Sequence, residues 1–210
     1  MTRLAQTERA ALCDVALEVG PDAATLCEGW AVRDLVAHLL IREGSLLAAG
    51  IAVKPLSGLL DREMRRVAAR DFAQQVAKLR QGPPRLSPYA VPRLDVMLNT
   101  LEYFVHQEDI RRAQSGWTAR THPDDDQKLL WSMVRTAGKG LTRRAPVGVT
   151  IENSVTGSTV DLNASEPRVT VRGLPSEVVL FVFGRQRQAE VELVGDDADV
   201  ARLTGTSLGF

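Results

Sequence analysis

The sequence contains little cysteine and no excess of charge of either sign. Its 210 residues include only Cys13 and Cys27, and its 26 basic residues equal its 26 acidic residues. Two cysteines at this separation form neither a CxxC metal motif nor a disulfide framework, so we expect two reduced, structural thiols. A net charge of zero provides no basic field that would attract nucleic acid.

Long apolar runs are also missing. No stretch has the length that a transmembrane helix requires. The N-terminal segment MTRLAQTERAALCDV is charged and amphipathic, and it has neither the apolar run nor the cleavage site of a signal peptide. We therefore expect a cytoplasmic protein whose partners are small molecules, with no nucleic acid and no membrane among them. A monomer and a homodimer both remain open.

The first two thirds of the chain have helical periodicity. Apolar residues recur at intervals of three and four in residues 12–19, 32–39 and 67–79. The segment 82–92, GPPRLSPYAVP, is too rich in proline for a helix and is predicted to be a loop, and Pro92 can begin the next helix. A further helix is predicted over residues 124–143, with three aspartates in its first turn.

The pattern changes near residue 146. The segment VGVTI alternates apolar and polar residues, VTGSTVDL contains a hairpin turn, and RVTVRG and QAEVELVG read as further strands. LPSEVVLFVFGR is predicted to be a helix that begins at a proline and stops at a glycine, and DDADVARL a short final helix. The predicted fold class is therefore α+β, with a helical domain over residues 1–145 and a small α+β domain over residues 146–210.

Two of the three histidines lie on predicted helices with apolar faces. Glu102 and His106 are four residues apart and so share one face of a helix, while His38 lies on an earlier helix. A glutamate and two histidines can hold one divalent metal, and three protein ligands leave an open position, as in catalytic sites. These ligands suit zinc best, although nickel, iron and manganese also fit. His122 has no assigned role.

Other interpretations of these residues are open. The pattern Glu-x-x-x-His is common on helices, His38 could instead pair with Asp34, and Glu102 could pair with an arginine. The charged residues after His106 are most simply a solvent-exposed face with helix-spaced ion pairs; these are Glu108, Asp109, Arg111 and Arg112. Alternatively, Asp109 could orient the ring of His106 from behind.

Two segments carry a family resemblance. GWAVRDLVAHLL and LEYFVHQEDIRRA resemble the metal-binding helices of the mycothiol-dependent maleylpyruvate isomerase-like family, a branch of the DinB-like up-down four-helix bundles. This resemblance implies that His38, Glu102 and His106 are the metal ligands. VTVRGLPSEVVLFVFGRQ resembles the small sterol-carrier-like domain of those isomerases, in which an arginine after the helix-ending glycine is implicated in catalysis. Arg185 occupies that place.

The resemblance implies an enzyme that uses mycothiol, the low-molecular-weight thiol of actinobacteria, together with a divalent metal. Isomerisation of a small electrophilic keto acid and transfer of the thiol to such an acid are both consistent with it. The chain looks shorter than the isomerases between His38 and Glu102, so the substrate remains open. The alternative function is a non-catalytic protein that binds a metal or a small molecule.

Overall fold

The computed structural model describes residues 3–44, 57–83 and 92–209. The chain divides into two compact units, residues 1–118 and residues 119–210, called here the helical unit and the sheet unit. Most of the predicted loop over residues 82–92 lies outside the described residues. Within those residues, no helix combines the length and the apolar character that crossing a bilayer requires.

The described part of the helical unit contains five helices. They are α1 Arg3–Val19, α2 Val32–Gly44, α3 Ser57–Ala68, α4 Phe72–Gln81 and α5 Pro92–Arg111. Helix α1 packs against α4 and α5, and α2 packs against α3 and α4. Their apolar faces form a core that includes Leu12, Leu35, Leu39, Leu79 and Ile110, all fully buried. This packing brings α2 and α5, which carry the candidate ligands, into the same unit.

Capping residues explain where the helices begin. The helical periodicity over residues 67–79 is divided between α3 and α4, because the Asp71 carboxylate accepts the Gln74 N–H at 2.8 Å and starts a new helix. Asp34, in the first turn of α2, reaches back and accepts the N–H of Ala31, the residue before the helix, at 3.0 Å. Helix α5 begins at Pro92, as predicted.

The sheet unit combines one long helix with a four-stranded sheet and two short helices. Its elements are α6 Asp124–Leu141, β1 Gly148–Asn153, β2 Thr159–Asn163, β3 Arg168–Gly173, α7 Pro175–Val182, β4 Glu192–Val194 and α8 Asp197–Thr204. The strand order is β2-β1-β3-β4. Strands β1 and β3 are parallel, and the two outer strands run antiparallel to their neighbours.

Helix α6 packs closely on the sheet and on α7. A Cβ atom at Gly138 would lie 2.6 Å from Leu162 Cδ1, so a larger residue there would require the Leu162 side chain to shift. The α+β class and the predicted strands after residue 146 are confirmed. The predicted domain boundary at residue 145 marks the change in periodicity and stays a prediction, whereas the packing groups α6 with the sheet.

Candidate metal centre

The structure brings His38, Glu102 and His106 together between α2 and α5. Glu102 Oε1 lies 3.2 Å from His38 Nε2 and 3.2 Å from His106 Nε2. One ligand atom from each of the three residues lies within 4.8 Å of the other two. The three polar groups therefore contact one another inside the helical unit.

All three side chains are largely buried. Their exposed fractions are 17% for His38, 23% for Glu102 and 12% for His106. Buried polar groups are costly unless they are partnered. The mutual contacts explain how a helix with Phe104 and Val105 in its core also carries Glu102 and His106.

Asp109 lies behind His106 and fixes the orientation of its ring. Asp109 Oδ2 is 2.8 Å from His106 Nδ1, and the carboxylate is fully buried. An ionised carboxylate only accepts hydrogen bonds, so the hydrogen of the pair resides on Nδ1 and the lone pair of the neutral ring is on Nε2. His106 therefore presents Nε2 to Glu102 and His38, as a metal ligand of this kind does.

The predicted helix-spaced ion pairs after His106 are present, but the predicted solvent exposure is wrong for three of the four charged residues. Glu108, Asp109 and Arg112 are all buried, and Glu108 accepts hydrogen bonds from Arg111 and Arg112. The guanidinium of Arg112 also lies over the ring of Trp117, at 4.6 Å from its centroid. The short spacings along α5 made these charges look like surface pairs, but their partners include groups distant in sequence.

The loop between α1 and α2 supports both imidazoles. The Leu26 N–H donates to the Asp109 carbonyl at 3.0 Å, and the Cys27 thiol donates to Asp109 Oδ2 at 3.2 Å. Trp30 lies against His38, with ring centroids 5.1 Å apart. Sequence analysis missed Cys27 as a member of the site, because a single cysteine 82 residues from its partner forms no spacing motif.

Arg42 adds a positive charge to the site. Its Nε lies 3.5 Å from Glu102 Oε1, and its side chain also donates to Asn99. Glu102 thus pairs with an arginine, as the alternative interpretation expected, and it contacts both histidines as well. The other alternative paired His38 with Asp34. The Asp34 carboxylate instead accepts the Ala31 N–H at the start of α2.

These contacts favour the charged forms of Glu102 and His106 when no metal is bound. Burial opposes ionisation of Glu102, but hydrogen bonds from His106 and His38 outweigh it and hold the pKa of Glu102 well below its usual range. Burial also opposes the charging of His106. Hydrogen bonds to Asp109, Cys27 and Glu102 overcome that effect and raise the pKa of His106 well above its usual value. Without a metal, the two residues form a buried ion pair.

The donor set fits a divalent metal. Two ligand atoms bound to one tetrahedral zinc at about 2.0–2.2 Å lie roughly 3.3 Å apart, close to the 3.2 Å contacts seen here. One ring hydrogen of His106 is committed to Asp109, so Nε2 can coordinate a metal once it loses its own proton. Two imidazoles and one carboxylate would leave an open position for a further ligand.

Arg185 lies in the sheet unit, after the end of α7. It follows Gly184, whose φ of +87° suits glycine, and its Nη1 donates to the Phe183 carbonyl at 2.5 Å. The side chain is half-buried. Its predicted catalytic role stays a prediction. His122 precedes α6 in the same unit and does not belong to the cluster.

Fold and site together define an α+β protein whose helical unit holds a cluster of two histidines and a glutamate. The family model described as the mycothiol maleylpyruvate isomerase N-terminal domain matches residues 2–111, and the chain belongs to this family. The matched region includes the three clustered residues. The suspected family is thereby confirmed.

Two solved structures share the fold. They are the mycothiol-dependent maleylpyruvate isomerase and its H52A mutant, with TM-scores of 0.60 and 0.61. Both are 14% identical to this chain, and the similarity covers 92% of this chain and 91% of theirs. No curated protein sequence matches the chain. The structural similarity spans the helical region and the sheet region alike.

Proposed function

We propose that this protein is a metal-dependent enzyme that uses a low-molecular-weight thiol, mycothiol, to isomerise or modify a small electrophilic keto acid. The observation that carries the proposal is the convergence of His38 Nε2, His106 Nε2 and Glu102 Oε1. Membership of the maleylpyruvate isomerase N-terminal family supports the choice of thiol. A cytoplasmic location in an actinobacterium is part of the proposal, because mycothiol belongs to those cells.

His38, Glu102 and His106 would hold the metal, with zinc as the first choice. A divalent metal at this position supplies the positive charge that keeps a coordinated thiol in its nucleophilic thiolate form at neutral pH. Asp109 keeps the hydrogen of His106 on Nδ1 and so holds Nε2 in place as a ligand. Burial of the cluster limits the water that would compete with the thiol.

Arg185 is the proposed partner for negative charge on the substrate. A planar guanidinium binds a carboxylate through two parallel hydrogen bonds, which an ammonium group does not reproduce. Its position directly after Gly184, at the end of α7, supports this assignment. Glu177 fixes the segment after Arg185 by accepting the Glu190 N–H at 2.8 Å.

The first experiment is metal analysis of the purified protein, followed by cobalt substitution and titration with mycothiol. We expect about one divalent metal per chain and a thiolate-to-cobalt absorption band as the thiol binds. Turnover is then measured on a panel of electrophilic keto acids with and without mycothiol. Metal-loaded protein that neither binds mycothiol nor turns over any acid of the panel would make a non-catalytic binding protein the better account.

A second experiment tests Arg185 separately from the metal. Arg185→Lys should leave the metal content unchanged and lower turnover, because the bidentate contact is lost. Arg187→Lys is the matched control, since Arg187 is an exposed arginine two residues away. Equal turnover in the two variants would remove Arg185 from the mechanism and leave the metal centre untouched.

A further inference from the structure

Arg42 is a buried cation next to the carboxylate of the candidate metal centre. Its exposed fraction is 7%, and it lies four residues after His38, on the same face of α2. Its Nε is 3.5 Å from Glu102 Oε1. That oxygen is the same atom that faces both histidine Nε2 atoms.

A second contact holds the guanidinium in place. Arg42 Nη1 donates to Asn99 Oδ1, and Asn99 is fully buried one turn before Glu102 on α5. The neighbouring residue Glu43 pairs with Arg9. Arg42 therefore connects α2 to α5 at the metal centre, and its charge has a fixed position relative to Glu102.

This charge has opposite effects on the two ligands that the site would take. A positive charge beside Glu102 repels a divalent cation, and the repulsion is strong because the surroundings are buried. The same charge attracts an anion at the open position of that metal. A site that had only to retain a cation would bind it better with a neutral residue at this place.

We propose that Arg42 is an electrostatic positioning residue that lowers the affinity of the centre for its metal and raises the affinity of the bound metal for an anionic ligand, a thiolate. The inference rests on the proposed function, and it specifies the charge of the ligand at the open position. Arg42 acts through Glu102 and through its field, without contact with the reacting atoms.

The test compares cobalt-loaded wild type, Arg42→Met and Arg42→Lys. Methionine keeps the unbranched apolar part of the side chain and removes the charge, whereas lysine keeps the charge. Cobalt affinity is measured by competition with a chelator. Binding of 2-mercaptoethanol, an anion when coordinated, and of imidazole, a neutral ligand, is followed by the cobalt absorption bands.

We expect Arg42→Met to bind cobalt roughly 10-fold more tightly and the thiol roughly 10-fold more weakly than wild type at pH 7. Imidazole binding should stay within about twofold, because a neutral ligand gains little from the charge. Arg42→Lys should resemble wild type in all three measurements. A purely structural role for Arg42 would not raise the affinity for cobalt while lowering the affinity for the thiol.

Simultaneous loss of cobalt and thiol binding in Arg42→Met would overturn the inference and make Arg42 a structural support of Glu102. If Arg42→Met does not fold, Asn99→Asp replaces it, because a carboxylate against the guanidinium cancels its charge. That variant must show the same opposite changes, or the inference is wrong. A wild-type protein that binds no cobalt would overturn the proposed function and this inference with it, whereas unchanged affinities in Arg42→Met would overturn the inference alone.

Discussion

The two units of the molecule differ in how many charged side chains they bury. The helical unit buries many ionisable and polar side chains; these are Glu8, Arg9, Arg42, Glu43, Asn99, Thr100, Gln107, Glu108, Asp109 and Arg112. In the sheet unit, Arg172 forms ion pairs with Glu152, which is part-buried, and with Glu192, which is exposed. The interior of the helical unit is thus more polar than that of the sheet unit.

The buried charges of the helical unit mark a region where the fold is less stable but holds its side chains in fixed positions. A buried ion pair seldom stabilises a fold more than apolar residues of the same size, because its desolvation is costly. The helical unit accepts this cost around α2 and α5, which carry the candidate ligands. Within the described residues of the sheet unit, Glu177 is a buried carboxylate, and it holds the segment that follows Arg185.

The largest expected effect contrasts a buried pair with an exposed one. Glu43→Gln removes the partner of Arg9 in the helical unit, and Glu192→Gln removes the exposed partner of Arg172 in the sheet unit. The first should lower the free energy of unfolding by about 3–5 kcal/mol, because it leaves a buried guanidinium without its counter-charge. The second should lower it by about 1 kcal/mol or less. Denaturant unfolding of both variants measures the contrast, and equal losses would refute it.

Metal affinity should depend on a histidine of the helical unit and not on a histidine of the sheet unit. His106→Ala should weaken metal binding by more than about 100-fold, because loss of a group behind a ligand alone costs 10- to 100-fold. His122→Ala is the control, a histidine of the sheet unit outside the cluster. Chelator competition gives both affinities, and a similar loss in the two variants would remove His106 from the site.

A smaller effect is expected from the group behind the ligand. Asp109→Asn keeps an acceptor for His106 Nδ1 but removes the charge, and metal affinity should fall by about 10- to 100-fold. Asp161→Asn is the control, since Asp161 is an exposed carboxylate of the sheet unit that pairs with Arg168. If both variants bind metal like wild type, Asp109 does not act on the centre.

The smallest effect, measured per pH unit, is a dependence of metal affinity on pH. The pKa of His106 in the metal-free protein is raised above its ordinary value of 6.5, so metal must displace a proton from Nε2. Affinity should fall by about tenfold per unit as pH drops below the raised pKa. Titrations between pH 6 and pH 8 measure this slope, and a flat profile would contradict it.

The raised pKa of His106 also determines how the stability of the metal-free protein depends on pH. A raised pKa in the folded state stabilises it fully below pH 6.5, and this contribution disappears as pH rises through the folded pKa. Metal-free protein should therefore lose the contribution of His106 at high pH, where metal binds best. Asp109→Asn should move both changes to lower pH, because Asp109 raises the pKa of His106.

Sequence patterns predicted the sheet unit well, because alternation, Pro175 and Gly184 are local signals. The spacing of Glu102 and His106 likewise placed both side chains on one face of α5, and the family resemblance added His38. The contacts of Asp109 with Cys27 and of Arg42 with Glu102 were beyond prediction, because they join segments about 60 to 80 residues apart. Glu108, Asp109 and Arg112 looked solvated, because their burial comes from tertiary packing that the spacing along α5 does not reveal.

Trp30 gives the candidate centre an optical signal of its own. Its indole lies 5.1 Å from the ring of His38, close enough for a paramagnetic ion at the cluster to quench its fluorescence. The other two tryptophans are Trp117, against Arg112, and Trp131, in the sheet unit. A chain in which both are replaced by phenylalanine would emit from Trp30 alone, so that the arrival and departure of copper or cobalt could be followed in real time without any added dye.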